Sequence, residues 1–212
     1  MIIAEHRSDT DKELLDQMYQ LRADAFGVRR GWRVNIVDHK EIDQFDDLNP
    51  LYLMSVDDNG QLLASLRLLQ TTGPHMLADV FGELLGDEPL IRSPLVWEST
   101  RFCVNTKASS IQNAGGVNSV TCELLEALCT VANKSGLTNL VSVYDVFMER
   151  VLKRSGCIFQ QYGQTVRYDD GLKTKAGIFD VNELAMTSIR NASALPKEPN
   201  YTGKYWSELD VA

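Results

Sequence analysis

Apolar positions recur along this chain with two spacings, and each change of spacing marks a new element. MIIAEH, a short apolar run, predicts a short opening strand. In SDTDKELLDQMYQLRADAF, Leu14, Leu15, Met18, Leu21, Arg22 and Ala25 fall at helical spacing, and Ser8 to Asp11 offer caps. Arg22 therefore lies on or beside the apolar stripe. GVRRGWRVNIVDHKEIDQFDDLNP has no period and reads as a long irregular stretch anchored by Phe26, Trp32 and Phe45. Two apolar runs in LYLMSVDDNGQLLASLRLLQ flank Asn59-Gly60, which predicts a hairpin with a tight type I′ turn. TTGPHMLADVFGELL reads as a loop leading into a short helix, and PLVWESTRFCV as a strand.

After the loop SIQNAGG, VNSVTCELLEALCTVANKSG is an amphipathic helix ended by Gly136. TNLVSVY is a buried strand. DVFMERVLKRSG is a helix with Asp145 as N-cap and Gly156 as its stop. CIFQQYG and QTVRYDDG read as closing strands, VNELAMTSIRN as the last helix, and the chain from Ala192 on as a loosely held tail. The order predicts one α/β or α+β domain over 1–191, a mixed sheet with flanking helices, followed by a polar tail over 192–212.

Composition narrows the function. The 212 residues carry a formal net charge of −8, which argues against nucleic-acid or anionic-membrane binding over the whole surface. No apolar run approaches the roughly 18 residues of a membrane helix, and MIIAEHRSDT is too short and too quickly charged for a signal peptide. Cys103, Cys122, Cys129 and Cys157 form no CxxC pair and read as buried small hydrophobes of a reduced, cytoplasmic protein. Cys122 and Cys129 share one helix face. His6, His39 and His75 are scattered, without an HExxH or Cys/His cluster, so no metal site is expected.

The informative residues are charges in apolar strands. In LLASLRLL both strand faces are largely apolar, so Arg67 sits in or near the interior and requires carboxylate partners. VWESTRFCV repeats the problem, because alternation sends Glu98 and Arg101 to opposite faces unless a bulge brings them to one. EIDQFDD supplies Glu41, Asp43, Asp46 and Asp47, and Asp43, Asp46 and Glu98 are the candidates to balance Arg22, Arg67 and Arg101. Two readings stand: an ion-pair network pinning a loop to a sheet, or a polar cleft for a zwitterionic ligand with a carboxylate as proton acceptor.

The ordered set Arg22, Phe26, Trp32, Glu41-Ile-Asp43-Gln-Phe-Asp46, Arg67-Leu-Leu, Phe81 and Trp97-Glu98-Ser-Thr-Arg101-Phe102 resembles the LuxI-type acyl-homoserine-lactone synthases. The match covers about residues 15–105 and continues more thinly to Gly156. The resemblance implies a GNAT-like mixed, bent sheet with a V-shaped split between two central parallel strands, WESTRFCV and NLVSVY, and a bulge in the first. It implies S-adenosylmethionine and an acyl thioester of acyl carrier protein or coenzyme A as substrates, with no permanently bound cofactor. Glu98 is the implied proton acceptor. Arg22, Phe26, Trp32, Asp43, Asp46, Arg67, Phe81 and Arg101 are implied around S-adenosylmethionine and its entrance. Phe102, Cys103, Val104, Ser142, Val143, Tyr144 and Met148 are implied along the acyl and pantetheine path, with the arm pairing strand-like near Phe102 to Val104.

Ser142 stands where some relatives carry a Thr associated with 3-oxo chains; its hydroxyl either bonds such a group or is satisfied by backbone. Leu152 is a further pocket candidate, and Cys157 stands where the family often has Trp. Arg150, Lys153 and Arg154 are the candidate cations for an acidic carrier, and SIQNAGG the candidate phosphate cradle. A GNAT-type acetyltransferase and a silent binding module are the other function classes. The oligomeric state, monomer or weak dimer, is not legible in the sequence.

Overall fold

The computed structural model describes residues 1–107, 116–168, 171–193 and 199–209. Strand β1 (Ile2–His6) leads into helix α1 (Lys12–Arg22), capped by Asp11, whose carboxylate accepts from the Glu13 and Leu14 N–H groups. The helix then widens into a π-helical turn over Ala23–Arg29. Such widened turns cluster at functional sites because they re-aim side chains out of helical register.

The stretch that looked irregular contains a two-stranded ribbon, β2 (Ile36–Val37) and β3 (Lys40–Glu41). Its two-residue turn, Asp38-His39, is left-handed at both positions (φ 49° and 62°), the requirement of a type I′ turn. The turn expected at Asn59-Gly60 is built differently. There β4 (Leu51–Val56) and β5 (Leu62–Gln70) do form the expected hairpin, but only Gly60 of the pair is left-handed. The Asp57 carboxylate accepts from the Asn59 and Gln61 N–H groups, which folds a longer loop. A bulge between Ser55 and Val56 absorbs the difference.

Then come the short helix α2 (Met76–Asp79), β6 (Val96–Val104), α3 (Ser119–Lys134), β7 (Asn139–Asp145) and α4 (Val146–Arg154). The Asp145 carboxylate caps α4 through the Met148 N–H, as the sequence predicts. The expected phosphate cradle falls at 110–116, of which 110–115 lie outside the described residues.

Two expectations are corrected beyond α4. CIFQQYG and QTVRYDDG are one strand, β8 (Phe159–Tyr168), irregular at Gly163, where the left-handed backbone packs so closely that any Cβ would meet Leu84 O. Its hairpin partner β9 (Leu172–Asp180), in LKTKAGIFD, was not foreseen, because lysines and a glycine interrupt its apolar run. After α5 (Glu183–Ser193), the expected loose tail is folded over residues 199–209. There β10 (Tyr201–Thr202) pairs parallel with β1, and α6 (Lys204–Leu209) follows, with Trp206 stacked on Tyr201.

The eight long and short strands other than β2 and β3 make one mixed sheet in the order β10-β1-β4-β5-β6-β7-β9-β8. Leu51, Leu53, Ala64, Leu66 and Leu68 pack against the Leu124 and Ala127 side of α3 on one face. Tyr52 and Met54 pack against Met18 and Tyr19 of α1 on the other. Both faces of β4 and β5 are thus buried, which makes any charge there an interior charge. Among the described residues no helix is long and apolar enough to cross a membrane.

Two features of β6 place the site. It pairs in parallel with β7 only at Val96–Asn139, Trp97–Leu140 and Glu98–Val141; beyond that the strands diverge, which is the expected V-shaped split. On its other side Ser65 pairs with Cys103 and Arg67 with Thr100, so Arg101 and Phe102 together oppose Leu66 alone. This is the expected bulge, and Arg101 takes a left-handed φ of 55° there.

Candidate active site

The bulge resolves the conflict of parity. Glu98 and Thr100 share the face of Arg67, and the extra residue turns Arg101 to it as well. The Arg67 Nε–H donates to Thr100 Oγ1 at 3.1 Å, and Arg101 reaches the same acids that Arg67 does.

Three arginines and three carboxylates close into one network. Arg22 donates to Glu41 at 2.6 Å and, bidentately, to Asp46 at 2.8 and 2.9 Å. Arg67 donates to both oxygens of Asp43, at 2.5 and 2.9 Å, and to Asp46 at 2.8 Å. Arg101 donates to Glu41 at 2.8 Å and Asp43 at 2.7 Å. The Tyr52 hydroxyl donates to Asp46 at 2.6 Å. Arg22, Arg67, Glu41 and Asp46 are fully buried. Each guanidinium also lies against a ring: Arg22 on Tyr19, Arg67 on Phe45, Arg101 on Phe26.

The electrostatics follow from this count. Burial works to raise the Asp46 carboxyl, but hydrogen bonds and charge from Arg22, with Arg67 behind them, carry it well below the usual range. Asp43 moves the same way under Arg67 and Arg101 despite its burial. Arg101 differs: burial lowers it, and the neighbouring Arg22 and Arg67 charges add to that.

Glu98 does not belong to the network, contrary to expectation; Glu41 takes the third acidic place. The Glu98 carboxylate instead accepts from the Met76 and Leu77 N–H groups at the start of α2, at 2.7 Å each. It is fully buried, and that desolvation raises its pKa to about 7, against the pull of the two N–H groups. A carboxyl poised near neutrality can both take and release a proton at working pH.

Beside the network lies a cavity of about 640 Å³ that runs through the split. Its outer chamber is walled by Phe26, Trp32, Asp43, Phe81 and Arg101, with Trp32 and Phe81 edge-to-face at 5.9 Å. Its inner arm is apolar and passes between α3, α4 and α5, along Leu125, Leu128, Leu152 and Ile189. Phe102, Ser142, Val143, Tyr144 and Met148 line it, as do Leu152 and Cys157. Arg22, Asp46, Arg67, Glu98, Cys103 and Val104 are not on its wall. The first three stand behind Asp43 and Arg101 and fix them. Cys103 is buried against Ser65 Oγ, and the Val104 carbonyl accepts from Arg29 at 2.8 Å.

Ser142 resolves to the backbone alternative: its hydroxyl donates to the Ser99 carbonyl at 2.7 Å, across the gap where ladder pairing has ended. Its one proton is therefore committed.

Sequence reasoning missed Tyr52, Arg29 and Arg30. Tyr52 pairs directly with Arg67 in the hairpin. Counting outward from Asn59-Gly60 as a two-residue turn gives that same pair, so the signal was present. Arg29 and Arg30 left no periodic signal, because they sit at the end of the π-helical turn and just past it, outside any α-periodicity.

A mixed sheet split between parallel strands, with an apolar arm on one side and a charged aromatic chamber on the other, is the frame of an N-acyltransferase that brings an amine to a thioester. The comparisons agree. Residues 6–188 match the autoinducer synthase family, and the chain belongs to it. It is 39% identical to an acyl-homoserine-lactone synthase of Rhizobium etli over 73% of this chain and 72% of that one, and 36% identical to one of Pseudomonas aeruginosa over 74% and 78%. The crystal structure of the AHL synthase LasI superposes with a TM-score of 0.77 at 32% identity, covering 90% of this chain and 94% of LasI. BjaI, a CoA-dependent acyl-homoserine lactone synthase solved with SAM and isopentyl-CoA, superposes at 0.82 with 20% identity, over 100% and 99%, and shares the fold. So does an acyl-CoA N-acyltransferase of Pseudomonas aeruginosa, at 0.54 and 19% identity over 84% and 97%.

Proposed function

We propose that the protein is an acyl-homoserine-lactone synthase that joins an acyl thioester to S-adenosylmethionine. The observation that carries this reading is the single cavity through the β6–β7 split, charged and aromatic at one end and apolar at the other. The outer chamber suits a cationic amino acid: Asp43 and Arg101 face its ammonium and carboxylate, and Trp32 and Phe81 its sulfonium and adenosyl parts. The inner arm suits the acyl chain.

The methionyl amine attacks the thioester carbonyl, an amide N–C bond forms, and the thiol leaves. Glu98 is the proton acceptor in this scheme. It is held at the start of α2 beside Met76 of the cavity lining rather than on the wall itself, so in this scheme the proton reaches it through an intervening water. The two residues of the β6 bulge opposing one of β5 offer backbone N–H groups to the developing oxyanion. The carboxylate of the acylated amino acid then attacks its own γ-carbon. The C–S bond breaks, methylthioadenosine departs, and the lactone remains.

The donor is an acyl thioester of coenzyme A or of acyl carrier protein. Arg150, Lys153 and Arg154 are exposed on α4 near the arm, a surface suited to an acidic carrier. The four free cysteines suit a reducing, cytoplasmic setting. The test is incubation with S-adenosylmethionine and a panel of acyl thioesters, read by mass spectrometry. Methylthioadenosine with lactone supports the proposal; free thiol without consumption of S-adenosylmethionine indicates a simple acetyltransferase, and neither indicates a binding module.

A further inference from the structure

The inner arm of the cavity is apolar except for a few groups whose hydrogen bonds can be counted. Ser142 has spent its proton on the Ser99 carbonyl. Asp145 accepts from the Met148 N–H and from Arg30. The exception is Tyr144. It lines the cavity, is 4% exposed, and its hydroxyl has no hydrogen-bond partner among the described residues.

The phenol is held in place from three sides. Its ring packs edge-to-face on Phe159 at 5.6 Å and on Phe179 at 6.1 Å, so it has little freedom to turn away. Its hydroxyl lies over Gly177 of β9, where a Cβ would come within 2.7 Å. Gly177 is thus the residue that leaves room for this hydroxyl. Burial, assisted by the Glu149 charge, raises the phenol further above its ordinary pKa, so it remains a donor across physiological pH. Buried donors are almost always satisfied, so an unpartnered hydroxyl on a residue that lines the cavity calls for an acceptor, which a ligand in the arm would supply.

We propose that Tyr144 Oη is the polar specificity contact of the inner arm, donating to a carbonyl or hydroxyl oxygen carried on the acyl chain of the donor. Ser142 is not that contact, because giving its proton to a chain oxygen would strand the Ser99 carbonyl. The proposal rests on the reading of the arm as an acyl site, and its test does not require turnover.

The experiment measures binding of non-reactive thioether analogues of acyl-pantetheine by calorimetry. The chains have one length and are plain, oxo-substituted or hydroxy-substituted at successive carbons. Wild type, Tyr144→Phe and Ser142→Ala are compared, with folding checked by circular dichroism. The expected result is a preference of about fivefold to tenfold for one oxygenated chain over the plain one, the range of a single neutral hydrogen bond. That ratio falls to about one in Tyr144→Phe and persists in Ser142→Ala. Equal binding of all chains by wild type overturns the proposal, as does a ratio unchanged by Tyr144→Phe, or one lost only in Ser142→Ala. If no analogue binds at all, the acyl-site reading fails with it. If the analogues bind with the expected ratios but S-adenosylmethionine is never consumed, the synthase reading fails alone.

Discussion

Arg22 and Arg67 share one acceptor: Asp46 Oδ1 receives a hydrogen bond from each at 2.8 Å. The two guanidinium groups come from α1 and β5, so this one carboxylate ties a helix to the middle of the sheet. Buried, paired charges contribute little net stability over apolar residues of the same shape, but removing one partner leaves the others stranded. Arg67→Met therefore takes one of two hydrogen-bonded arginine partners from each of Asp43 and Asp46, and costs about 3–5 kcal/mol. Urea unfolding at pH 7 measures this, and a loss under about 1 kcal/mol would show that the acids rehydrate freely.

Glu98 makes a prediction with a definite sign. Its pKa is raised to about 7 by burial. If it accepts the amine proton, kcat/KM falls as pH drops through about 7, and Glu98→Gln loses turnover far more than S-adenosylmethionine affinity. Stability runs the other way. A raised carboxyl contributes stability that is full below its unfolded value, near 4.5, and is lost as pH rises through 7. Wild type should thus lose roughly 2–3 kcal/mol relative to Glu98→Gln between pH 4.5 and 8. An acid limb that survives in Glu98→Gln would assign it to the substrate amine instead.

Much of this arrangement could be read from the chain, and the failures have physical causes. The helices at 12–22, 119–134 and 146–154 were legible because their apolar stripes and caps agree. The three arginines were legible as charges in apolar elements. Two of the acids that meet them, Asp43 and Asp46, were legible with them, and the third was not. Glu41 is delivered by a ribbon whose type I′ turn, Asp38-His39, carries no glycine, while Glu98 is claimed by backbone donors of a helix only four residues long. The β9 strand and the folded tail escaped because lysines break the one pattern and shortness hides the other.

Cys157 sets a test of the inner arm. It lines the cavity beside Leu152 and Ile158, and Cys129 of α3 lines the same arm. Cys157→Trp places an indole where a thiol stands and shortens the space for the chain. The lactones produced should shift to shorter acyl groups, with discrimination of about tenfold or more per excluded methylene. Competition between thioesters of different length, read by mass spectrometry, checks it. An unchanged product spectrum would show that the chain runs elsewhere.

The open end of the split is held by two adjacent arginines. Arg29 donates to the Val104 carbonyl at 2.8 Å and to Thr106 Oγ1 at 3.0 Å, on the β6 limb. Arg30 pairs with Asp145 at 3.1 Å and lies over the Phe147 ring, on the β7 limb. The π-helical turn and Arg30 at its C-terminal end thus span the gap with one guanidinium on each side, and the turn also carries Phe26 of the outer chamber. Arg30 is partly exposed, so Arg30→Ala should cost only about 1 kcal/mol or less in stability, with Asp145 still capping α4. Its larger effect falls on the chamber. With one clamp released, residues 23–35 should exchange amide hydrogens several-fold faster, and the KM for S-adenosylmethionine should rise more than kcat falls. Hydrogen exchange read by mass spectrometry, with steady-state kinetics and a thermal melt, separates the outcomes. A large drop in Tm with unchanged exchange in 23–35 would make the pair a structural tie of α4 and nothing more.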